Sequence, residues 1–352
     1  MSEKEFGDRA SWEDESPVED REHLVAPPGW GIVDPGRDPA GQDETIRRLI
    51  AAITQNGRYQ VIERLEQRTG YHLPDGTATK HAVYVDVETT GLGDGARIIQ
   101  LAIAPFDFAA DGRIFGVAPC ESWLEDPGIP IPDEVAELTG LTDADVAGKR
   151  IDDARVAELL EGAVLVIAHN ARFDRPKLEA RLPVFAAKPW ACSCDDVPWL
   201  EEGLQAKKLE WLAYRLCGMF FDAHRADGDV AMGVHLLTQP LPRSGRLAMD
   251  RLLESARTKT ARVWAVHTPA STKDALKGRG YRWNPGLDGR PKAWWRDIPL
   301  AHLMEETTWL ATSGVYLGGP KHQVQVLDAR TRYSPRADRV AYREHQDVLA
   351  VG

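Results

Sequence analysis

The sequence predicts an α/β protein whose main domain layers helices against a mixed sheet. Two observations carry this reading. Three apolar strand segments follow one another between residues 82 and 124, as in a meander. A fourth, AVLVIAH (163–169), leads directly into a helical pattern at Asn170, and further helical patterns continue to residue 237. The 352 residues are 43% hydrophobic and 28% charged, an ordinary soluble composition with room for two domains.

Taken in order, residues 1–42 are rich in Asp, Glu, Pro and Gly with few aliphatics. They predict a disordered acidic arm, because so little apolar surface does not offset the entropy of ordering. Residues 43–80 read as a short helical lead-in and linker. Ile46, Leu49, Ile50 and Ile53 recur at helical spacing, and Tyr59, Ile62 and Leu65 repeat the pattern beyond an Asn56-Gly57 break. The segment 71–80 is turn-rich. The main domain, 81–240, opens on the strand AVYVDVE (82–88). RIIQLAIAPFDF (97–108) and GRIFGVAPCESWL (112–124) are two more strands, turned at Asp111-Gly112. Helices are expected at 133–139 and 152–161, from Asn170, and at 206–217 and 226–237.

From about Ser255 the texture changes. Trp264, Trp283, Trp294 and Trp295, four of the 11 tryptophans, fall in a basic stretch, which predicts a small α+β accessory domain at 255–312. A C-terminal extension, 313–352, holds one candidate strand at 322–329. No internal repeat or low-complexity tract is present.

Net charge is −11, but it is unevenly placed. Residues 1–45 hold 13 Asp/Glu against 4 Lys/Arg, whereas residues 255–297 hold 10 Lys/Arg against 3 Asp/Glu. The average therefore does not exclude an anionic partner. No apolar run reaches the roughly 20 residues that span a bilayer, so no membrane partner is expected. The acidic N-terminus lacks the features of a leader, and four cysteines are too few for a disulfide-stapled secreted domain, so a reducing cytoplasm is the expected setting.

The chemistry concentrates in three short motifs. In DVETTGL (86–92), Asp86 and Glu88 are two apart on a strand, so both carboxylates point to one face. Like charges so placed call for a cation between them, and Mg²⁺ favours carboxylates with water and phosphate. Thr89, Thr90 and Gly91 then turn the chain, Gly91 leaving room for a substrate backbone. HNARFD (169–174) follows the buried strand, with Asn170 as N-cap and Asp174 about one turn into the helix. In HRADGD (224–229), His224 precedes a helix and Asp229 lies in its first turns; histidine suits proton transfer near neutral pH. Each motif alone is as readily a solvated strand end or a helix start.

Their order and spacing together resemble the DnaQ-like (DEDDh) 3′→5′ exonuclease family over residues 81–240. The likeness includes IIQLA, the stretch 129–148 and KLEWLAYRLCG (208–218); Gln100 stands where the family favours Glu. The resemblance implies an RNase H-like fold and a two-metal hydrolase. Asp86, Glu88, Asp174 and Asp229 would bind two Mg²⁺ ions, replaceable by Mn²⁺, and His224 would be the general base. Thr89, Thr90, Gly91, Leu92, Asn170 and Phe173 are the candidate substrate contacts, with Leu92 and Phe173 as wedges against a base. The implied substrate is single-stranded DNA or another 3′ end, in proofreading or repair. The rivals are an RNA exonuclease of the RNase T or oligoribonuclease kind and a silent nucleic-acid-binding protein, which the intact set of five residues disfavours. No clamp-binding peptide is evident, and a polymerase or repair partner is not specified.

Other signals weigh less. Cys192 and Cys194 lack two further ligands at zinc spacing and read as buried thiols. His169 reads as packing at a helix start. The segment 268–297 resembles small modules appended to replication and recombination enzymes. Lys273, Lys277, Arg279, Arg282, Arg290, Lys292 and Arg296 are candidates to neutralise phosphates, and Tyr281, Trp283, Trp294 and Trp295 to stack on bases or form the module's core.

Overall fold

The computed structural model describes residues 39–55, 57–93, 95–287, 290–316 and 321–339. The acidic arm, up to residue 38, lies outside them. Helix α1 (Pro39–Thr54) belongs to a first unit that ends at Val61; Ile62 onward forms a second unit, to which everything below refers. Among the described residues no helix is long and apolar enough to cross a membrane.

The helix expected around Tyr59–Leu65 does not form. Instead β1 (Glu63–Arg64) lies parallel to β8 (Met219–Phe220), with Glu63 N–H donating to the Gly218 carbonyl at 3.0 Å. Here tertiary pairing overrides the local period. The turn-rich segment that follows is not a free tether either, since Tyr71 and His72 donate to the Phe115 and Ile114 carbonyls.

The central sheet is built from β2 (Thr79–Thr89), β3 (Ile98–Ala109), β4 (Ile114–Val117), β5 (Glu121–Leu124), β6 (Leu165–Ala168) and β7 (Trp190–Cys192). Its order is β4-β3-β2-β6-β7, with β5 also pairing β3. β3 runs antiparallel to β2, β4 and β5, while β6 and β7 are parallel to their neighbours. The sheet is therefore mixed, as the sequence predicts. The expected strand 112–124 is split into β4 and β5, because Pro119 offers no N–H to continue the ladder. β7 escapes periodicity analysis at three residues.

Helices cover both faces. Side chains alternate along β2, so Ala82 and Tyr84 join one core while Val83, Val85 and Val87 join the other. The first core includes α7 (Ala226–Leu237) and α8 (Ala248–Arg257); the second includes α4 (Asp153–Leu160) and α5 (Ala171–Arg181). α2 (Asp133–Thr139) and α3 (Asp143–Val146) cap the β5 side. The helix expected at 206–217 is only α6 (Leu209–Leu212), followed by a widened turn that ends at left-handed Gly218.

Residues 260–327 form a second sheet, ordered β10-β11-β9-β12, from β9 (Thr260–Ala265), β10 (Arg282–Asn284), β11 (Ala293–Pro299) and β12 (His322–Leu327). α9 (Lys273–Gly278) and α10 (Leu303–Thr312) complete it. The module therefore runs past residue 312 and takes the candidate strand of the C-terminal extension as its own. Residues 328–339 then return to the exonuclease-like core. Tyr333 is buried there and donates to Asp196 at 2.8 Å, and Arg175 on α5 donates to the carbonyls of Ala329, Arg330 and Arg332.

Candidate active site

Asp86 and Glu88 lie at the end of β2 on the side of Tyr84, opposite Ala102 and Gln100 of β3. The ladder shifts register just after Glu88, which lets the chain leave the sheet. Thr89 and Thr90 are 6% and 8% exposed and use their hydroxyls inside the turn: Thr89 Oγ1 donates to the Gly91 carbonyl at 2.7 Å, and Thr90 Oγ1 accepts from Arg97 N–H at 3.0 Å. Gly91 has φ 150°, a region open to glycine, and Leu92 projects into solvent at 88% exposure.

Asp174 enters from α5, where the backbone of Asn170 starts the helix by accepting from Phe173 and Asp174 N–H. The Asn170 side chain does not cap the helix as expected and is left exposed. Asp174 is only 2% exposed and accepts from Val87 N–H at 3.3 Å, tying α5 to β2. Phe173 is half-buried, with Lys177 Nζ 5.8 Å from its ring centre.

Asp229 enters from the first turn of α7. One oxygen each from Asp86, Glu88 and Asp229 fall within 4.8 Å of one another. Burial pushes the Asp86 carboxyl well above the carboxylate range, and repulsion from Asp174, Asp229 and Glu88 adds to it. Burial likewise raises Glu88 to about 7, against the pull of Arg225, and Asp174 to about 7, against the Val87 N–H. Asp229 rises to about 8 through burial and then through repulsion from Glu88 and Glu210. Its buried Oδ2 has no hydrogen-bond partner. Three carboxylates, one with an orphaned oxygen, are placed where they could hold a divalent cation; Asp174 acts on Asp86 electrostatically but is not part of that three-residue cluster.

His224 sits at the rim, just before α7. Its φ of 61° places a branched ring in the left-handed region, a strained arrangement that turns the side chain out of the helix start. The ring is half exposed, with Nε2 3.6 Å from Glu210 Oε1 on α6.

Gln100, read from sequence only as a departure, proves to be structural to the site. It is 2% exposed; its carbonyl accepts from Ala226 N–H at 3.3 Å and its amide donates to Ser122 at 2.9 Å. It thereby ties β3 to the start of the helix carrying Asp229, and its neutral amide adds no further charge beside Glu88. Glu210 was also missed; nothing in its local sequence marks it, since only the fold brings it to His224. His169 is structural, both ring nitrogens being engaged by Ser193 and the Lys207 carbonyl. Cys192 is buried and free.

In the accessory module, Tyr281 and Trp294 are buried and are therefore core, not stacking surfaces, whereas Trp283 is 47% exposed. Arg279 and Arg296 are paired with Glu306, which reduces their value as phosphate ligands.

Residues 83–237 match the profile of the RNase T exonuclease family. No curated protein matches the chain by sequence. Solved structures similar to it include an exonuclease X in complex with 5′-overhanging duplex DNA, at 25% identity over 49% of this chain and 98% of that one, TM-score 0.35. An exonuclease I structure shares 18% identity over 77% of this chain and 69% of that one, TM-score 0.41. The E. coli exonuclease I–single-stranded DNA complex with zinc shares 15% over the same proportions, TM-score 0.41.

Proposed function

We propose that this chain, whose residues 83–237 match an exonuclease family model, removes nucleotides from the 3′ end of single-stranded DNA, in proofreading or repair. The observation that carries the proposal is the meeting of Asp86, Glu88 and Asp229 within 4.8 Å, from two separate elements, with Asp174 beside them and His224 at the rim.

Asp86, Glu88, Asp174 and Asp229 would hold two Mg²⁺ ions, or Mn²⁺ in their place. When bound, these supply Lewis-acid stabilisation of the phosphoryl charge and relieve the repulsion among the carboxylates. His224 accepts the proton of the attacking water, its ring exposed enough to pass that proton on to solvent. Water oxygen bonds to phosphorus, the bond to the 3′ oxygen of the penultimate nucleotide breaks, that oxygen takes a proton, and a 5′-monophosphate leaves. Leu92 and Phe173 flank the terminal base, Asn170 meets the sugar-phosphate, and Gly91 admits its backbone. Thr89 and Thr90 contribute by fixing the turn that presents these groups. In the accessory module, Trp283 offers a stacking face and Lys273, Lys277, Arg282 and Lys292 are exposed cations for phosphates.

The test is digestion of 5′-labelled single-stranded DNA and RNA with Mg²⁺ or EDTA, beside Asp86→Ala. A Mg²⁺-dependent ladder shortening from the 3′ end, absent in the variant, is expected, with DNA the faster substrate. Faster RNA cleavage would replace DNA by RNA, which a protein distinguishes through the 2′-OH. No shortening of either strand would overturn the proposal.

A further inference from the structure

A cavity of about 850 Å³ lies between α5, the turn after β2 and the accessory sheet. That is the size of a ligand site. Its lining holds six Lys/Arg against two Asp/Glu; of these cations, Arg181 is paired with Glu125 and Asp153, and Arg262 with Asp297. A neighbouring cavity of about 660 Å³ differs in kind, because Asp195, Asp196, Glu201, Glu254 and Asp297 answer its cations.

Two cations of the larger cavity have only neutral acceptors among their hydrogen bonds, and a third, Arg172, is held loosely by two carboxylates. Arg97 donates to the Pro127 carbonyl at 2.6 Å, and Lys177 to the Gly93 carbonyl at 2.5 Å, both neutral acceptors. Arg172 has its nearest carboxylates, Asp195 and Asp297, at 3.7 and 3.8 Å. Trp295, from the accessory sheet, lies under both Arg262 (4.7 Å) and Arg172 (5.4 Å). Its ring is a platform for guanidinium groups and not an open stacking face, so the cavity is built to hold positive charge in place.

The cavity adjoins the turn that follows the carboxylate strand. Arg97 is hydrogen-bonded through its backbone to Thr90 in both directions, and Lys177 reaches from beside Phe173 to Gly93.

We infer that the cavity framed by Arg97, Arg172, Lys177 and Trp295 is a phosphate-binding channel for the nucleotides upstream of the one being removed, so that the accessory module forms one wall of the substrate path. This rests on the exonuclease reading and adds a site to it.

The test uses the full chain carrying Arg97→Gln and Arg172→Gln, and two substrates. The p-nitrophenyl ester of thymidine 5′-monophosphate fills only the terminal-nucleotide site; a single-stranded DNA of about 20 nucleotides fills the channel as well. The double variant should hydrolyse the ester as wild type does. Its KM for the long strand should rise on the order of tenfold, and its salt slope should flatten by about 1.4, at about 0.7 per lost phosphate contact. Ala180→Lys, on an exposed position of the same wall, should lower that KM and steepen the slope, which covers the case of a poorly folding double variant. Unchanged KM and slope on the long strand would overturn the channel while ester hydrolysis keeps the exonuclease reading intact. Equal losses on both substrates would assign these arginines to the terminal-nucleotide site instead. A wild type inactive on both substrates would remove the exonuclease reading and the channel with it.

Discussion

Asp174→Asn should make the metal-free protein more stable while abolishing its activity. Asp174 is 2% exposed, and burial lifts its carboxyl from 3.8 to about 7. A carboxyl whose folded pKa is raised is protonated in the native state after the unfolded chain has ionised. Native stability therefore falls as pH rises from about 4 to about 7 and stays low above that. At about 1.4 kcal/mol per unit, the ceiling is about 4 kcal/mol at pH 8 and about 1 kcal/mol at pH 4.5. Because Asp86, Glu88 and Asp229 share the same repulsion, about 2–4 kcal/mol is expected at pH 8. The Asn carbonyl still accepts from Val87 N–H, so packing is kept. The assay is thermal melting in EDTA at pH 4.5 and pH 8. The variant should melt on the order of 10 °C higher at pH 8 and nearly with wild type at pH 4.5. Added Mg²⁺ should raise wild type far more than the variant, since binding to the native state alone stabilises it. A variant less stable than wild type at pH 8, or a gap independent of pH, would refute the reasoning.

Other substitutions separate chemistry from architecture. His224→Ala should lower kcat by about 10²–10⁴ with little change in KM, measured on the same labelled strands. Gly233→Ala would set a Cβ 2.1 Å from the Tyr84 ring, where α7 crosses β2. A loss of at least about 1–3 kcal/mol is expected in urea melts, together with lost activity, because Asp229 would be moved off Asp86. Arg332→Ala breaks the buried pair with Asp196 (3.0 Å), and about 3–5 kcal/mol should be lost in the same melts.

The sequence by itself determined the central sheet and the carboxylates. A strand of alternating faces puts Asp86 and Glu88 on one side whatever surrounds them, and Asp174 and Asp229 sit in the first turns of helices that the sequence also places. Those features are local, because dihedral preference and side-chain period act over a few residues. What the tertiary structure alone decided is non-local. Residues 59–65 follow a helical pattern, yet Glu63–Leu65 are extended and pair with β8, because its backbone offers partners there. Gln100 and Glu210 acquire roles only when β3 and α6 are brought to the start of α7. Trp283 and Trp294 face each other on the same side of the sheet, but Trp283 lies on the edge strand β10 and stays 47% exposed, while Trp294 on the inner strand β11 is buried. The tail around Tyr333 reads as polar extension, yet it closes the core behind α5. Removing residues 255–352 would therefore open the exonuclease core as well as delete the module. No window of sequence contains that contact, because its two sides lie some 140 residues apart and meet only on folding.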